Sequence, residues 1–203
     1  CCKIEKNKVK YCIMIAMMTI SSTIPDLSFD IYHNEEFKKV TFSDYKSKWL
    51  VLLFYPADFT FVCPTELAEA ARKYNDFKKL GAEVISFSTD TKYTHKAWHD
   101  SSPVIKTIQY PMASDPSGAV CRIFGTYIEE EGLSWRATFI IDPDGVLKAI
   151  DMHDNSIGRN IDEIYRKLQA SIYIREHKGE VCPASWHPGS KTLKPGIDLV
   201  GKI

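Results

Sequence analysis

The chain has 203 residues, of which 44% are hydrophobic and 26% are charged, and its 26 basic residues balance its 26 acidic residues. This length and apolar content fit one globular domain with an ordinary core. The zero net charge excludes an overall electrostatic attraction to nucleic acid or to an anionic membrane surface. A small neutral substrate remains compatible with this composition.

Residues 1–17 precede the predicted domain. Residues 1–10 are basic and residues 11–20 are apolar, which is the outline of a signal peptide. The apolar run is shorter than the roughly 20 residues that cross a bilayer. We interpret residues 1–17 as an upstream extension outside the fold, in preference to a targeting segment.

Apolar periodicity predicts that strands and helices alternate along residues 18–177. Strands are predicted at Val40–Thr41, Trp49–Tyr55, Glu83–Ser88 and in a hairpin over Ala137–Ile150 that turns at Asp142–Gly145. Helices are predicted at Cys63–Leu80, Thr94–Asp100, Pro116–Phe124 and Arg159–His177. Strand-helix alternation followed by a hairpin implies an α/β fold, with a mixed sheet and helices on both faces.

Residues 178–203 differ from the preceding domain. Glycine and proline recur in this segment and interrupt any regular element. We interpret it as a C-terminal arm that carries Cys182.

The six cysteines show no short paired spacing of the kind found in zinc sites. They are Cys1, Cys2, Cys12, Cys63, Cys121 and Cys182. A chain of this size buries a core without disulfides, so we expect a reducing, cytoplasmic location and transient, catalytic cysteine pairing. Cys121 lies in a short apolar helix and is expected to be a buried small hydrophobe. His95 and His99 lie four residues apart without a third ligand, so we assign no metal.

The segment Phe54–Glu66 carries the strongest chemical signal in the chain. A predicted buried strand ends at a break formed by Pro56 and Asp58. Cys63 then lies at the predicted start of a helix, where Pro64 suits the first helical position. Free backbone N–H groups and the helix dipole favour a thiolate there, and they can lower the pKa of a cysteine thiol below its usual value of about 8.5. A reactive nucleophile is predicted. The alternative is a small hydrophobic residue buried among aromatic side chains.

The spacing of Pro56, Thr60 and Cys63 resembles the Pro-x-x-x-Thr-x-x-Cys active-site signature of the peroxiredoxins, and Val-Cys-Pro-Thr-Glu extends the match. Residues 20–203 are similar to typical two-cysteine peroxiredoxins, most closely to their bacterial alkyl hydroperoxide reductase C branch. The resemblance implies a thioredoxin-like fold. It also implies a thiol-specific peroxidase that reduces hydrogen peroxide and small organic hydroperoxides through a Cys63 sulfenic acid, in antioxidant defence and cell redox homeostasis.

The resemblance further implies roles for the residues around the thiol. Thr60 would orient the peroxide and Pro56 would exclude water. Arg136 matches the arginine that stabilises both the thiolate and the developing oxyanion. Glu66 and Arg159 match positions that support this arginine. Without the resemblance, Arg136 and Arg159 would be solvated charges and Glu66 a carboxylate at a helix N-terminus.

Cys182 lies in Gly179–Trp186, which resembles the family's resolving-cysteine motif. The resemblance implies an intersubunit disulfide between Cys63 and Cys182, formed when the second thiol condenses with the sulfenic acid. It also implies a homodimer that closes into a ring of five dimers. The implied reductant is a flavoprotein disulfide reductase of the alkyl hydroperoxide reductase F type, a thioredoxin or a similar dithiol protein. No Gly-x-Gly-x-x-Gly motif follows a strand, so we assign no cofactor.

Two elements of overoxidation-sensitive peroxiredoxins are missing: a Gly-Gly-Leu-Gly loop near Gly125 and a Tyr-Phe pair after Cys182. We therefore expect rapid formation of the disulfide between Cys63 and Cys182 and resistance to inactivation by overoxidation of Cys63. The alternative function is a holdase chaperone or a peroxide-sensing scaffold. A thiol-disulfide oxidoreductase is disfavoured because no Cys-x-x-Cys motif is present.

Overall fold

A computed structural model of the protein describes residues 18–202, so the predicted extension at residues 1–17 lies outside the described part. The strands are β1 (Ser28–His33), β2 (Glu36–Thr41), β3 (Trp49–Phe54), β4 (Ala82–Ser88), β5 (Met112–Ser114), β6 (Tyr127–Ile128), β7 (Leu133–Ser134), β8 (Arg136–Ile141) and β9 (Leu147–His153). The α-helices are α1 (Cys63–Lys79), α2 (Lys92–Ser101), α3 (Ala119–Phe124) and α4 (Ile161–Glu176).

Seven strands form one mixed sheet in the order β2-β1-β5-β4-β3-β8-β9. Strand β4 runs parallel to both β3 and β5, whereas β8 runs antiparallel to β3 and to β9. Strands β6 and β7 pair separately. The predicted mixed sheet is confirmed.

Strand β3 is buried along its whole length. Successive side chains of a strand point to opposite faces, so β3 supplies two cores. Val51 and Leu53 lie in a core with apolar residues of α1, α2 and α4. Leu52 and Phe54 lie in a second core with α3. Helices therefore cover both faces of the sheet, as predicted.

The strands β1, β5 and most of β2 were not predicted from the sequence. Strand β2 is exposed along most of its length, so it carries no hydrophobic alternation that would reveal it. Strand β1 interrupts its apolar residues with Asp30, and β5 has only three residues.

Two predicted helices begin later than expected. Helix α3 begins at Ala119 rather than Pro116, because Gly118 has a φ of +67°, which is outside the right-handed helical region. Helix α4 begins at Ile161, because the Asn160 side chain caps it by accepting a hydrogen bond from the Glu163 backbone N–H at 3.0 Å.

No helix among residues 18–202 combines the length and apolar character that crossing a membrane requires.

Candidate active site

Cys63 is the first residue of α1, and its side chain has no solvent-exposed area. Pro64 therefore occupies the second helical position, not the first as predicted. The Val62 carbonyl accepts hydrogen bonds from the backbone N–H groups of Thr65 at 3.0 Å and Glu66 at 3.3 Å. Those two amides are used within the helix, so they do not provide the free donors that were expected beside the sulfur.

A guanidinium group lies directly against the sulfur. Arg136 is the first residue of β8, and its Nη1 is 3.2 Å from Cys63 Sγ and 2.7 Å from Glu66 Oε2. Asn155 fixes the arginine from the other side, since its carbonyl oxygen accepts from Arg136 Nε at 2.9 Å. The Asn155 side-chain oxygen accepts from the Arg136 backbone N–H at 3.1 Å. Arg136 is buried, so the solvated-charge alternative is wrong for this residue.

Glu66 links Arg136 to a second arginine. Its Oε1 accepts from the Arg159 backbone N–H at 2.8 Å and from Arg159 Nε at 3.0 Å. The outer nitrogens of Arg159 donate to the carbonyl of Ala137 in β8 at 3.2 Å and to the carbonyl of Phe54 at the end of β3. Arg159 is buried as well. It therefore ties the carboxylate to both strands that flank the thiol.

The charges of this cluster bear on the state of the sulfur. Cys63 is 0% exposed, and Glu66, Arg136 and Arg159 are 3%, 4% and 6% exposed. Two guanidinium groups and one carboxylate leave one positive charge in a site shielded from water, where an uncompensated charge is costly. A negative sulfur brings the sum of the four groups to zero. The cluster therefore places a compensating positive charge directly against the Cys63 sulfur.

The loop between β3 and α1 contributes two further predicted residues. Pro56 is buried and Thr60 is partly exposed. The Thr60 hydroxyl donates to the Ala57 carbonyl at 2.8 Å, which leaves the lone pairs of its oxygen available to accept a hydrogen bond.

The network that anchors this loop was not predicted from the sequence. Asp58 accepts from the Tyr55 hydroxyl at 2.7 Å and pairs with His95 Nδ1 at 2.8 Å, while its backbone N–H donates to Asp90 Oδ2 at 2.8 Å. Burial raises the pKa of the Asp58 carboxyl, and the contact with His95 opposes that rise. The adjacent Phe59 has a φ of +55°, a strained value for a bulky residue that surrounding contacts must hold in place.

The remaining described cysteines are free thiols, like Cys63. Cys121 is buried as predicted, and burial raises the pKa of its thiol to about 12. That thiol is therefore a poor nucleophile near neutral pH. Cys182 is partly exposed and lies on the C-terminal arm.

Replacing Glu66 with glutamine should destabilise the reduced protein by about 3–5 kcal/mol, because two buried guanidinium groups lose their shared carboxylate. Urea unfolding measures this loss. The matched control is Glu129→Gln, which removes an exposed carboxylate 2.7 Å from Arg122 and should leave the midpoint unchanged. Equal midpoints for the two variants would contradict the structural role of Glu66.

Comparison with known proteins shows the family to which the chain belongs. A model of the AhpC/TSA family matches residues 20–150. Alkyl hydroperoxide reductase C of Salmonella typhimurium is 49% identical over 187 residues, which cover 92% of this chain and 100% of that protein. Alkyl hydroperoxide reductase C of Amphibacillus xylanus is 52% identical over 169 residues, which cover 83% of this chain and 90% of that protein.

Solved structures give the same result. The crystal structure of Enterococcus faecalis AhpC superposes with a TM-score of 0.79 at 44% identity, covering 81% of this chain and 98% of that chain. The reduced 2-Cys peroxiredoxin of Plasmodium vivax superposes with a TM-score of 0.84 at 29% identity, covering 88% of this chain and 94% of that chain. The thioredoxin-like fold of the peroxiredoxins is confirmed. This protein belongs to the AhpC/TSA family and is a peroxiredoxin enzyme of the alkyl hydroperoxide reductase type.

Proposed function

We propose that the protein reduces hydrogen peroxide and small organic hydroperoxides with the Cys63 thiolate, in antioxidant defence and cell redox homeostasis. The observation that carries this proposal is the contact of 3.2 Å between Arg136 Nη1 and Cys63 Sγ inside the buried charge cluster. A thiolate held beside a fixed cation is both ionised and oriented for attack.

In the first step the Cys63 sulfur attacks one peroxide oxygen and the O–O bond breaks. The second oxygen leaves as hydroxide or alkoxide, which takes up a proton from solvent to give water or an alcohol, and Cys63 becomes a sulfenic acid. Arg136 stabilises the negative charge as it moves from sulfur to the leaving oxygen. Thr60 accepts a hydrogen bond from the peroxide, and Pro56 excludes water.

Glu66 and Arg159 act through Arg136. The carboxylate fixes the guanidinium by a contact of 2.7 Å, and Arg159 fixes the carboxylate. An arginine held in this way does not have to reorganise when the oxyanion forms, which is how preorganised donors accelerate reactions.

The second step joins Cys63 to Cys182 of another subunit in a disulfide, with loss of water. Cys63 is fully buried whereas Cys182 is partly exposed on the arm, so the start of α1 must open for the sulfurs to meet. The dimer that we propose is supported by the arm, where Ile197 is 94% exposed and Val200 is 76% exposed within the single described chain. By family resemblance, five such dimers close into a ring.

A dithiol partner protein would then reduce the disulfide. The candidates are a flavoprotein disulfide reductase of the alkyl hydroperoxide reductase F type, a thioredoxin or a similar small protein. The cysteine pattern favours a reducing compartment, and we place the reaction in the cytoplasm.

One round of oxidation on a Cys182→Ser variant tests the first step. One equivalent of hydrogen peroxide in the presence of dimedone should give one sulfenic acid adduct per chain, located on Cys63 by peptide mass spectrometry. Cys121 should stay unmodified because it is buried with a weakly acidic thiol. An unmodified Cys63, or an adduct on another cysteine, would contradict the proposed mechanism.

A further inference from the structure

The arm is fastened to α4 on the C-terminal side of Cys182. The Trp186 backbone N–H donates to the Pro183 carbonyl at 3.2 Å and closes a tight turn. The Trp186 carbonyl accepts from Arg166 Nη1 at 2.9 Å. The Trp186 side chain is only 2% exposed and packs on Tyr173 of α4, with 5.0 Å between ring centroids. This turn therefore cannot shift without breaking contacts to α4.

The arm is also fastened on the N-terminal side of Cys182. Glu180 Oε2 accepts from the Tyr173 hydroxyl at 2.9 Å and from the Thr192 hydroxyl at 2.5 Å. Val181 and Leu193 pair as an isolated antiparallel bridge. Cys182 thus lies between two anchored points, and its thiol is still partly exposed.

Arg166 is itself held rigidly. Its Nε is 2.6 Å from Glu163 Oε2 and its Nη2 is 2.8 Å from Glu163 Oε1. This bidentate ion pair fixes the plane of the guanidinium and leaves Nη1 to donate to the Trp186 carbonyl of the arm.

The same arginine influences the Cys182 thiol. Burial raises the pKa of this thiol, the positive charge of Arg166 opposes that rise, and the negative charge of Glu180 adds to it. The charged groups that act on Cys182 are therefore Arg166 from α4 and Glu180 from the arm. Arg166 is the one that favours the thiolate, which is the attacking form of a thiol.

We propose that Arg166 is a positioning residue for the resolving step: held by Glu163, it fixes the turn at Trp186 that follows Cys182. This inference rests on the proposed function. In the step, the Cys182 sulfur attacks the sulfur of the Cys63 sulfenic acid, the S–S bond forms and the S–O bond breaks. The leaving oxygen takes up the proton and departs as water, and the two sulfurs share the oxidation as a disulfide.

The test separates the two chemical steps in an Arg166→Gln variant. Quenched-flow samples after one equivalent of hydrogen peroxide should show an unchanged rate of Cys63 oxidation and disulfide formation slowed about tenfold or more. Because the sulfenic acid persists longer, excess peroxide should convert more Cys63 to sulfinic acid than in the unmodified protein. The matched control is Arg175→Gln on the same helix, whose partners are Asp142 and Asp144, and it should resolve normally.

The pH profile of disulfide formation distinguishes this role from general support of the arm. The rate should rise with pH as Cys182 ionises, and the Arg166→Gln profile should move to higher pH. Arg166→Lys keeps the charge and should retain the original profile. The Glu163→Gln variant keeps Arg166 but removes the carboxylate that holds it, so disulfide formation should slow to an intermediate extent. This variant replaces Arg166→Gln in the test if Arg166→Gln does not fold.

An unchanged rate of disulfide formation in Arg166→Gln, or a slower rate with an unchanged pH profile, would overturn the assignment. If the proposed function itself were wrong, the unmodified protein would form neither a Cys63 sulfenic acid nor a disulfide with Cys182.

Discussion

Replacing Arg136 with methionine should slow the reaction of Cys63 with hydrogen peroxide about 100- to 1000-fold, which is the usual cost of removing one donor that stabilises developing charge. The variant also changes the charges of the buried cluster. Without Arg136, an anionic Cys63 together with Glu66 and Arg159 carries a net negative charge, so the thiolate loses its compensation. Both effects lower the rate of the first step.

The rate is measured by competition for limiting hydrogen peroxide against a peroxidase of known rate. Arg122→Met is the matched control, because it removes a half-buried arginine that pairs with Glu129 at 2.7 Å and donates to the Ser117 carbonyl, outside the charge cluster. This control should react as fast as the unmodified protein. If Arg136→Met kept the full rate, the contact with the sulfur would have no role in the chemistry.

Replacing Cys63 with serine should abolish turnover, with a loss of at least about 1000-fold, because an ordinary hydroxyl is not ionised near neutral pH and does not accept an oxygen atom from peroxide. Peroxide consumption in the presence of a dithiol reductant measures this loss. Cys121→Ala is the control, since the Cys121 thiol is buried and its pKa is raised to about 12. That variant should retain turnover. Sustained catalysis by Cys63→Ser would exclude Cys63 as the nucleophile.

The sequence predicted those parts of the fold that have strong local signals. The apolar run of β3, the helical stripe of α1 and the turn after β8 were each predicted close to their observed bounds, because burial of a whole strand or one helix face leaves a clear pattern. Strand β2 left no such pattern, since residues on both of its faces are exposed along most of its length.

The site was predicted in part. Cys63 and Arg136 are 73 residues apart in the chain, so their proximity came from the family resemblance and not from any spacing. Asn155 was missed because its two contacts with Arg136 use a β9–α4 loop whose path depends on the whole sheet. His95 was noted only as a weak metal candidate, although it anchors Asp58 through a tertiary contact of 2.8 Å. Free N–H donors were expected at the start of α1, but the amides of Thr65 and Glu66 both donate to the Val62 carbonyl.

The most direct test of the whole account is a non-reducing gel after one equivalent of hydrogen peroxide. It compares the unmodified protein, Cys63→Ser, Cys182→Ser and a co-expressed mixture of the two variants. The unmodified protein should give a disulfide-linked dimer, and each variant alone should run as a monomer. The mixture should recover a dimer band, because one protomer supplies Cys63 and its partner supplies Cys182. A covalent dimer in either single variant, or a disulfide confined to one chain of the unmodified protein, would contradict the account.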